Sequence, residues 1–451
     1  MPVRTAVLAV LAIGLLVFPL AAAADHATRP HTSNIQALGH SPDFGSFLLP
    51  DGQRDANSDL AFWGNLAFHG DYDGFRIVNI ADPNNPALVS RTRCNGDQGD
   101  IVVWGNVLVR SWNAPKTVPR NCDGTTVPPG FEGVHIFDIS NLADPVLVGE
   151  VELSARPQAD APGCGSHTAT LVPDLADNRV LIYNATSGGN LNLKGNLRDC
   201  DWLDVLQVPL NNPGAATHLH REPLEGKHAA HDSGVILGNV NLLAVASGHM
   251  ANVFSIGSPR GGTPEDPRFL YGIEERGVRK IGNWHSAALT WDGEVIILGW
   301  EPGGGSQPMC EETDPPVRKS MFFYHAATGA KLGQWTLPRP QSAEENCTIH
   351  NYNIVPLTTG RYIAVGGHYQ AGTWVTDFTN PAVPVTVAWS DPPPLVPTQL
   401  GGAWSSYWYN GLVYESEISK GLNVFSVSDP RLAGAMSLPH LNPQTQEFSI
   451  P

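Results

Sequence analysis

Short apolar runs with a period of two recur along almost the whole chain, and each ends in a cluster of Asn, Asp, Pro or Gly. GFRIVNIADPNNPALVS from Gly74, GVHIFDISNLADPVLVGEVEL from Gly133 and GLNVFSVSDPRLAGAMSL from Gly421 share one layout. An alternating strand runs into a turn, often D-P or N-P, and a second apolar strand follows. Such alternation with such punctuation predicts strand pairs. Weaker copies start at Trp202, Ala251, Met321 and Thr373. A second phrase precedes each of these: LAFWGNLAFHG from Leu60, IVVWGNVLVRS from Ile101 and SYWYNGLVYES from Ser406, with looser copies from Thr168, Gly234, Ala287 and Tyr352. Its Gly64-Asn65, Gly105-Asn106 and Asn410-Gly411 steps suit tight hairpins, because Gly and Asn tolerate positive φ.

Together the two phrases make a unit of four strands. Units start near Asn57, Gln98, His167, His231, His285, His350 and Trp404. This predicts an all-β, seven-bladed β-propeller with four antiparallel strands per blade. Drift in the central units leaves six or eight blades open. One twisted sheet cannot bury both faces alone, whereas a closed ring of sheets can. The propeller is expected over 57–440, after an N-terminal segment at 25–56 that is either a closing strand or an extended lead-in. A short tail at 441–451 follows.

The phrase RIVNIADPNNPALV resembles the LVIVD repeat of secreted bacterial and archaeal β-propeller proteins. HIFDISNLADPVLVGEV and WSSYWYNGLVYESEISKGLNVFSV are similar to it as well. The resemblance spans nearly the whole mature chain and is strongest in units one, two and seven. It implies a propeller fold and an extracellular place, and it assigns no activity.

The N-terminus agrees with that place. Arg4 precedes an apolar run from Ala6 to Leu20, then Ala21 to Ala24, then polar Asp25. Charge, apolar core and small residues in this order predict a signal peptide over 1–24, cleaved near Ala24. No later apolar stretch is long enough to span a bilayer, so the mature chain is expected to be soluble; separately, it is expected to be a monomer. Six cysteines in an exported chain favour disulfides. Sequence neighbours are the preferred pairs: Cys94–Cys122, Cys164–Cys200 and Cys310–Cys347. A formal net charge of −16 argues against nucleic acid, which needs a positive surface.

The histidines carry the chemical signal. His167, His231, His285 and His350 hold one position in four successive units, just before the expected innermost strand. In a propeller those starts converge on the mouth of the axial channel. Asn57, Gln98 and Trp404 are the equivalents in the other units. Imidazole is the commonest metal ligand, and a thiolate-free set suits iron, copper or zinc over calcium. Three roles stay open: a metal centre, a metal-free ligand pocket, and a ring that only ties blades together. The loops between second and third strands open on the same face and add His69, Asp71, His249, Glu301, His368 and Glu417 as candidate ligand-binding residues. His218, His220 and His228 lie in an expected surface connector. No G-x-S-x-G or H-E-x-x-H pattern occurs, and the Gly-rich EPGGGSQ from Glu301 lacks the context of a phosphate loop. The functions consistent with these features are a secreted module binding a small molecule or an extracellular protein, a metal-dependent oxidoreductase with a four-histidine centre, and a structural scaffold.

Overall fold

The computed structural model describes residues 26, 28–43, 55–113, 116, 118–153, 165–186, 200–226, 228–275, 281–395 and 400–451. The expected signal segment, Cys164 and the Cys164–Cys200 pairing lie outside them. Regular structure is almost entirely β, and among the described residues no helix is long and apolar enough to cross a membrane.

The two recurring phrases fold together as an antiparallel meander each time they occur, except that after Gly421–Val427 the chain forms a short 3-10 turn at Pro430–Leu432 where a second strand was expected. The first runs Asn57–Trp63, Leu66–Asp71, Gly74–Asn79 and Ala87–Arg93 in sheet order. Its first turn holds Gly64 at φ +56, where a side chain would be strained. Burial drops sharply at the outermost strand of each sheet. In the fourth meander all of Ala230–Ile236 is buried, whereas most of Arg268–Ile273 is not. This gradient separates an axial strand from a rim strand. The segment holding His218 and His220, expected as a connector, is instead the rim strand Thr217–Pro223. Its period-two spacing continues the sheet of Trp202–Pro209.

The axial strands close into a ring. Asn57–Trp63 packs against Ile101–Trp104, then Thr168–Asp174, Ala230–Ile236, Trp284–Leu289, Asn351–Ile354 and Ala403–Tyr409 follow. The last of these packs back on the first. Apolar faces fill the space between neighbouring sheets. Phe75 meets Phe137 edge-on at 5.0 Å, and Phe323 stacks on Phe378 at 4.5 Å. The seam between first and last sheets has its own ties. Phe62 stacks on Tyr409 at 4.7 Å, and the Asn57 amide donates to the carbonyls of Glu417 and Ile418, each at 3.1 Å. Together these contacts make the chain an all-β propeller.

Both chain ends complete the ring. Ile35–Pro42 pairs antiparallel with Gly421–Val427 and covers the rim of the last sheet, which would otherwise be an open edge. The 25–56 segment therefore includes a closing strand. The C-terminal residues cross the far ends of the axial strands. His440–Leu441 pairs with Trp63 and Phe62. Asn442 exchanges two hydrogen bonds with the Val103 backbone, and Thr445 donates to the Leu171 carbonyl. Thr445–Gln446 runs parallel to Val235 and Ile236, and Gln446 donates to the Leu289 carbonyl. The tail thus crosses the axis at the end opposite the histidines. Disulfides join Cys94 to Cys122 and Cys310 to Cys347, and Cys200 is also disulfide-bonded.

Candidate functional site

The starts of the axial strands bring the four histidines into an arc. Neighbouring ring centroids are 4.2 Å apart for His167–His231, 4.0 Å for His231–His285 and 4.5 Å for His285–His350. The Trp404 indole closes one end, edge-on to His350 at 5.0 Å. These residues line an axial cavity of ≈ 530 Å³, together with Gln98 and Glu301.

Carboxylates that the repeat pattern did not flag share this wall: Asp59, Asp97, Asp100 and Asp232. Among the described residues no lysine or arginine lines it. Asp59 accepts hydrogen bonds from Tyr407 at 2.9 Å and from Gln444 of the crossing tail at 3.0 Å. Asp100 accepts from the Ala169 backbone at 2.6 Å, which ties the second sheet to the third. Asp232 lies behind two imidazoles, 3.3 Å from His231 Nδ1 and 3.7 Å from His285 Nδ1. Glu301 faces two as well, 3.7 Å from His285 Nε2 and 3.7 Å from His350 Nε2.

Other contacts fix the remaining rings. His350 Nδ1–H donates to the Trp404 carbonyl, so its Nε2 carries the lone pair. His167 Nδ1 pairs with Asn113 Oδ1 at 3.0 Å. The Tyr369 hydroxyl donates to Glu301 at 2.6 Å, and Tyr369 itself adopts φ +53, a conformation uncommon outside glycine. Gly305 lies beside this pair. A Cβ there would fall 2.2 Å from Tyr369 Oη, so the Gly-rich loop wraps Glu301 instead of cradling a phosphate.

Burial dominates the electrostatics. Desolvation pushes His231 down to about 3 and His167, His285 and His350 well below the usual histidine value, so all four rings are neutral at pH 7. Desolvation raises Asp232 and Glu301 to about 8, Asp59 to about 6 and Asp100 well above the usual carboxyl range. Neutral imidazoles and carboxyls short of positive partners make a site that favours a cation.

Several residues expected at this face are not part of the cavity wall. Asn57 serves the seam described above. His69 is fully buried between Ser416 at 2.7 Å and Arg76 at 2.7 Å. Asp71 caps the Asp73 backbone at 2.7 Å and pairs with Arg91 at 3.4 Å. His368 accepts from the His350 backbone at 3.2 Å, behind the arc. Glu417 accepts from the Gly402 backbone at 3.1 Å. His249 meets His228 edge-on at 4.4 Å and does not line the cavity. The four imidazoles do not form one cage. Donor atoms lie within 4.8 Å of one another in two overlapping sets, His167–His231–Asp232 and His231–His285–Glu301, and neither holds all four rings.

The LVIVD repeat family model matches residues 54–93 and 131–152, which are the first sheet and the outer half of the second. No curated protein matches the chain. Among solved structures it is similar to the β-propeller domain of Cps50 (Swd1) from Myceliophteria thermophila. Identity is 12% and the TM-score 0.48, over 88% of this chain and 100% of that one. The chain thus carries LVIVD repeats over these residues, within a ring of sheets that its own strand packing makes a β-propeller.

Proposed function

We propose that this propeller is an exported binding module of seven four-stranded blades, which takes a small, positively charged ligand in its axial cavity. The observation that carries this reading is the cavity wall: four neutral imidazoles and the buried carboxyl groups of Asp59, Asp100, Asp232 and Glu301, with no lysine or arginine among the described lining residues. Buried carboxyl groups are costly to ionise without a partner, and a bound cation supplies one. The tail across the far end of the axis limits entry to the histidine side. Export is supported by the leader-like N-terminus and by the two disulfides. Cleavage near Ala24 would leave the closing strand intact.

Thermal unfolding of the mature chain with a panel of divalent metal ions, small organic cations and size-matched anions tests the reading. A ligand at about 100 times its Kd adds about 2.7 kcal/mol. At least one cation is expected to raise the midpoint, the anions are not, and the rise should vanish in the Asp232→Asn, Glu301→Gln double variant. Stabilisation by anions alone, or by nothing in the panel, would overturn it.

A further inference from the structure

We infer that the cationic ligand is a first-row divalent transition-metal ion, held by His231, His285 and Glu301, with Asp232 as the carboxylate that orients the two imidazoles. The inference rests on the cavity reading above and narrows it to one corner of the wall.

Geometry comes first. Ligand atoms bound to one metal at about 2.0–2.2 Å stand roughly 3–4.2 Å apart. The 3.7 Å between His285 Nε2 and Glu301 Oε2 falls in that window and is too long for a hydrogen bond. The donor atoms of His231, His285 and Glu301 all lie within 4.8 Å of one another, so small side-chain adjustments bring them onto one ion. His231 and His285 sit at the starts of axial strands and Glu301 just past the end of Val295–Trp300, the strand paired with Trp284–Leu289, which suits a preorganised site.

A second, independent observation is the state of His285. Its side chain is only 3% exposed, and its Nδ1 makes no hydrogen bond. A buried polar atom without a partner is uncommon and costly. Coordination through Nε2 would polarise the ring and draw its Nδ1–H toward Asp232 Oδ2, now 3.7 Å away. Metal-bound histidines characteristically give their other ring N–H to a carboxylate or a backbone carbonyl. Asp232 stands in that position behind both His231 and His285, and the Trp404 carbonyl does so behind His350.

The chemistry of the set selects the metal class. Two imidazoles and one carboxylate, with no thiolate, favour Fe(II), Mn(II), Co(II), Ni(II) or Zn(II) over Ca(II) or Mg(II), which prefer all-oxygen shells. Three protein ligands leave coordination positions open toward the cavity. His350 Nε2 and His167 flank those positions and can contact a water or a further ligand bound there.

The test is loading of the mature, metal-stripped full chain with Co(II), read by visible absorption, and with Zn(II), read by competition against a chromophoric chelator. One ion per chain is expected, with two strongly shifted imidazole N–H proton signals in the Co(II) form. Asp232→Asn should weaken binding by roughly 10–100-fold, and His285→Ala or Glu301→Gln by more. His249→Ala, outside the cavity wall, should change nothing. Near-ultraviolet circular dichroism checks that each variant is folded. If folded His285→Ala and Glu301→Gln variants bind as tightly as the parent, the assignment is wrong. If organic cations stabilise the chain while Co(II) and Zn(II) do not bind, the metal inference falls and the cavity reading stands. If no cation binds, both fall.

Discussion

Asn442 offers a direct perturbation of the ring closure, because one side chain serves both backbone groups of a buried strand residue. Its Oδ1 accepts from the Val103 N–H at 2.8 Å, and its amide donates to the Val103 carbonyl at 2.9 Å. Asn442 is 1% exposed and Val103 is fully buried. Val103 lies on the axial strand Ile101–Trp104, whose inner edge has no neighbouring strand among the described residues. Asn442→Ala leaves that N–H and that carbonyl without partners. A buried unsatisfied group costs about 1–3 kcal/mol, so the pair costs roughly 2–6 kcal/mol, with the low end applying if water enters. Asn442→Asp should not rescue the loss, because it sets a carboxylate against the Val103 carbonyl. Denaturant unfolding followed by tryptophan fluorescence reads the change as a fall in midpoint at constant slope. A variant within about 0.5 kcal/mol of the parent, the usual range for surface changes, would refute the claim that the tail is tied into the axis.

Three further outcomes are expected. A chain that starts at Asp55, without Ile35–Pro42, should aggregate or unfold more readily on size-exclusion and denaturant tests, since the Gly421–Val427 edge is then open; equal stability would contradict the closure. Cys310→Ser with Cys347→Ser opens a loop with a sequence separation of 37, and chain entropy puts the loss at about 4 kcal/mol. Gly305→Ala should weaken cation binding more than it lowers the unfolding midpoint, because the new Cβ meets Tyr369 and Glu301 at φ +68. Equal effects on both would make that loop a general structural element.

Much of this architecture was legible as pattern. The unit starts inferred from the repeat fall close to the observed axial strands, as with His231 against Ala230–Ile236 and Trp404 against Ala403–Tyr409. Period-two runs carry strand identity, and the Gly64-Asn65 and Asn410-Gly411 steps carry the hairpins. Co-location of the four histidines followed from register alone, since equivalent positions in a closed ring face one axis. The aspartates were harder to see. Asp59, Asp100 and Asp232 sit at or just before the openings of strongly apolar runs, in NSDLAF, QGDIVV and HDSGVI. A charged residue repeated at the start of a fully buried strand was the available signal. His69, His368 and Glu417 misled because a loop that opens on a face can still bury its side chains. His69 is drawn inward by Ser416 of the last sheet, a contact far away in sequence. The course of the tail was not legible either, because Asn442, Gln444 and Gln446 act as strand caps only once the ring exists. The repeat matches best where the wall bears no histidine, and the divergent central units supply the imidazoles.

The most direct test of the axial site is a crystal structure of the mature chain soaked in Co(II) or Zn(II), with data collected on both sides of the metal absorption edge. An anomalous peak on the axis among His231, His285 and Glu301 is the expected result. A peak only at the rim set of His220, Glu222 and Asp266, or none on the axis at full loading, would contradict it.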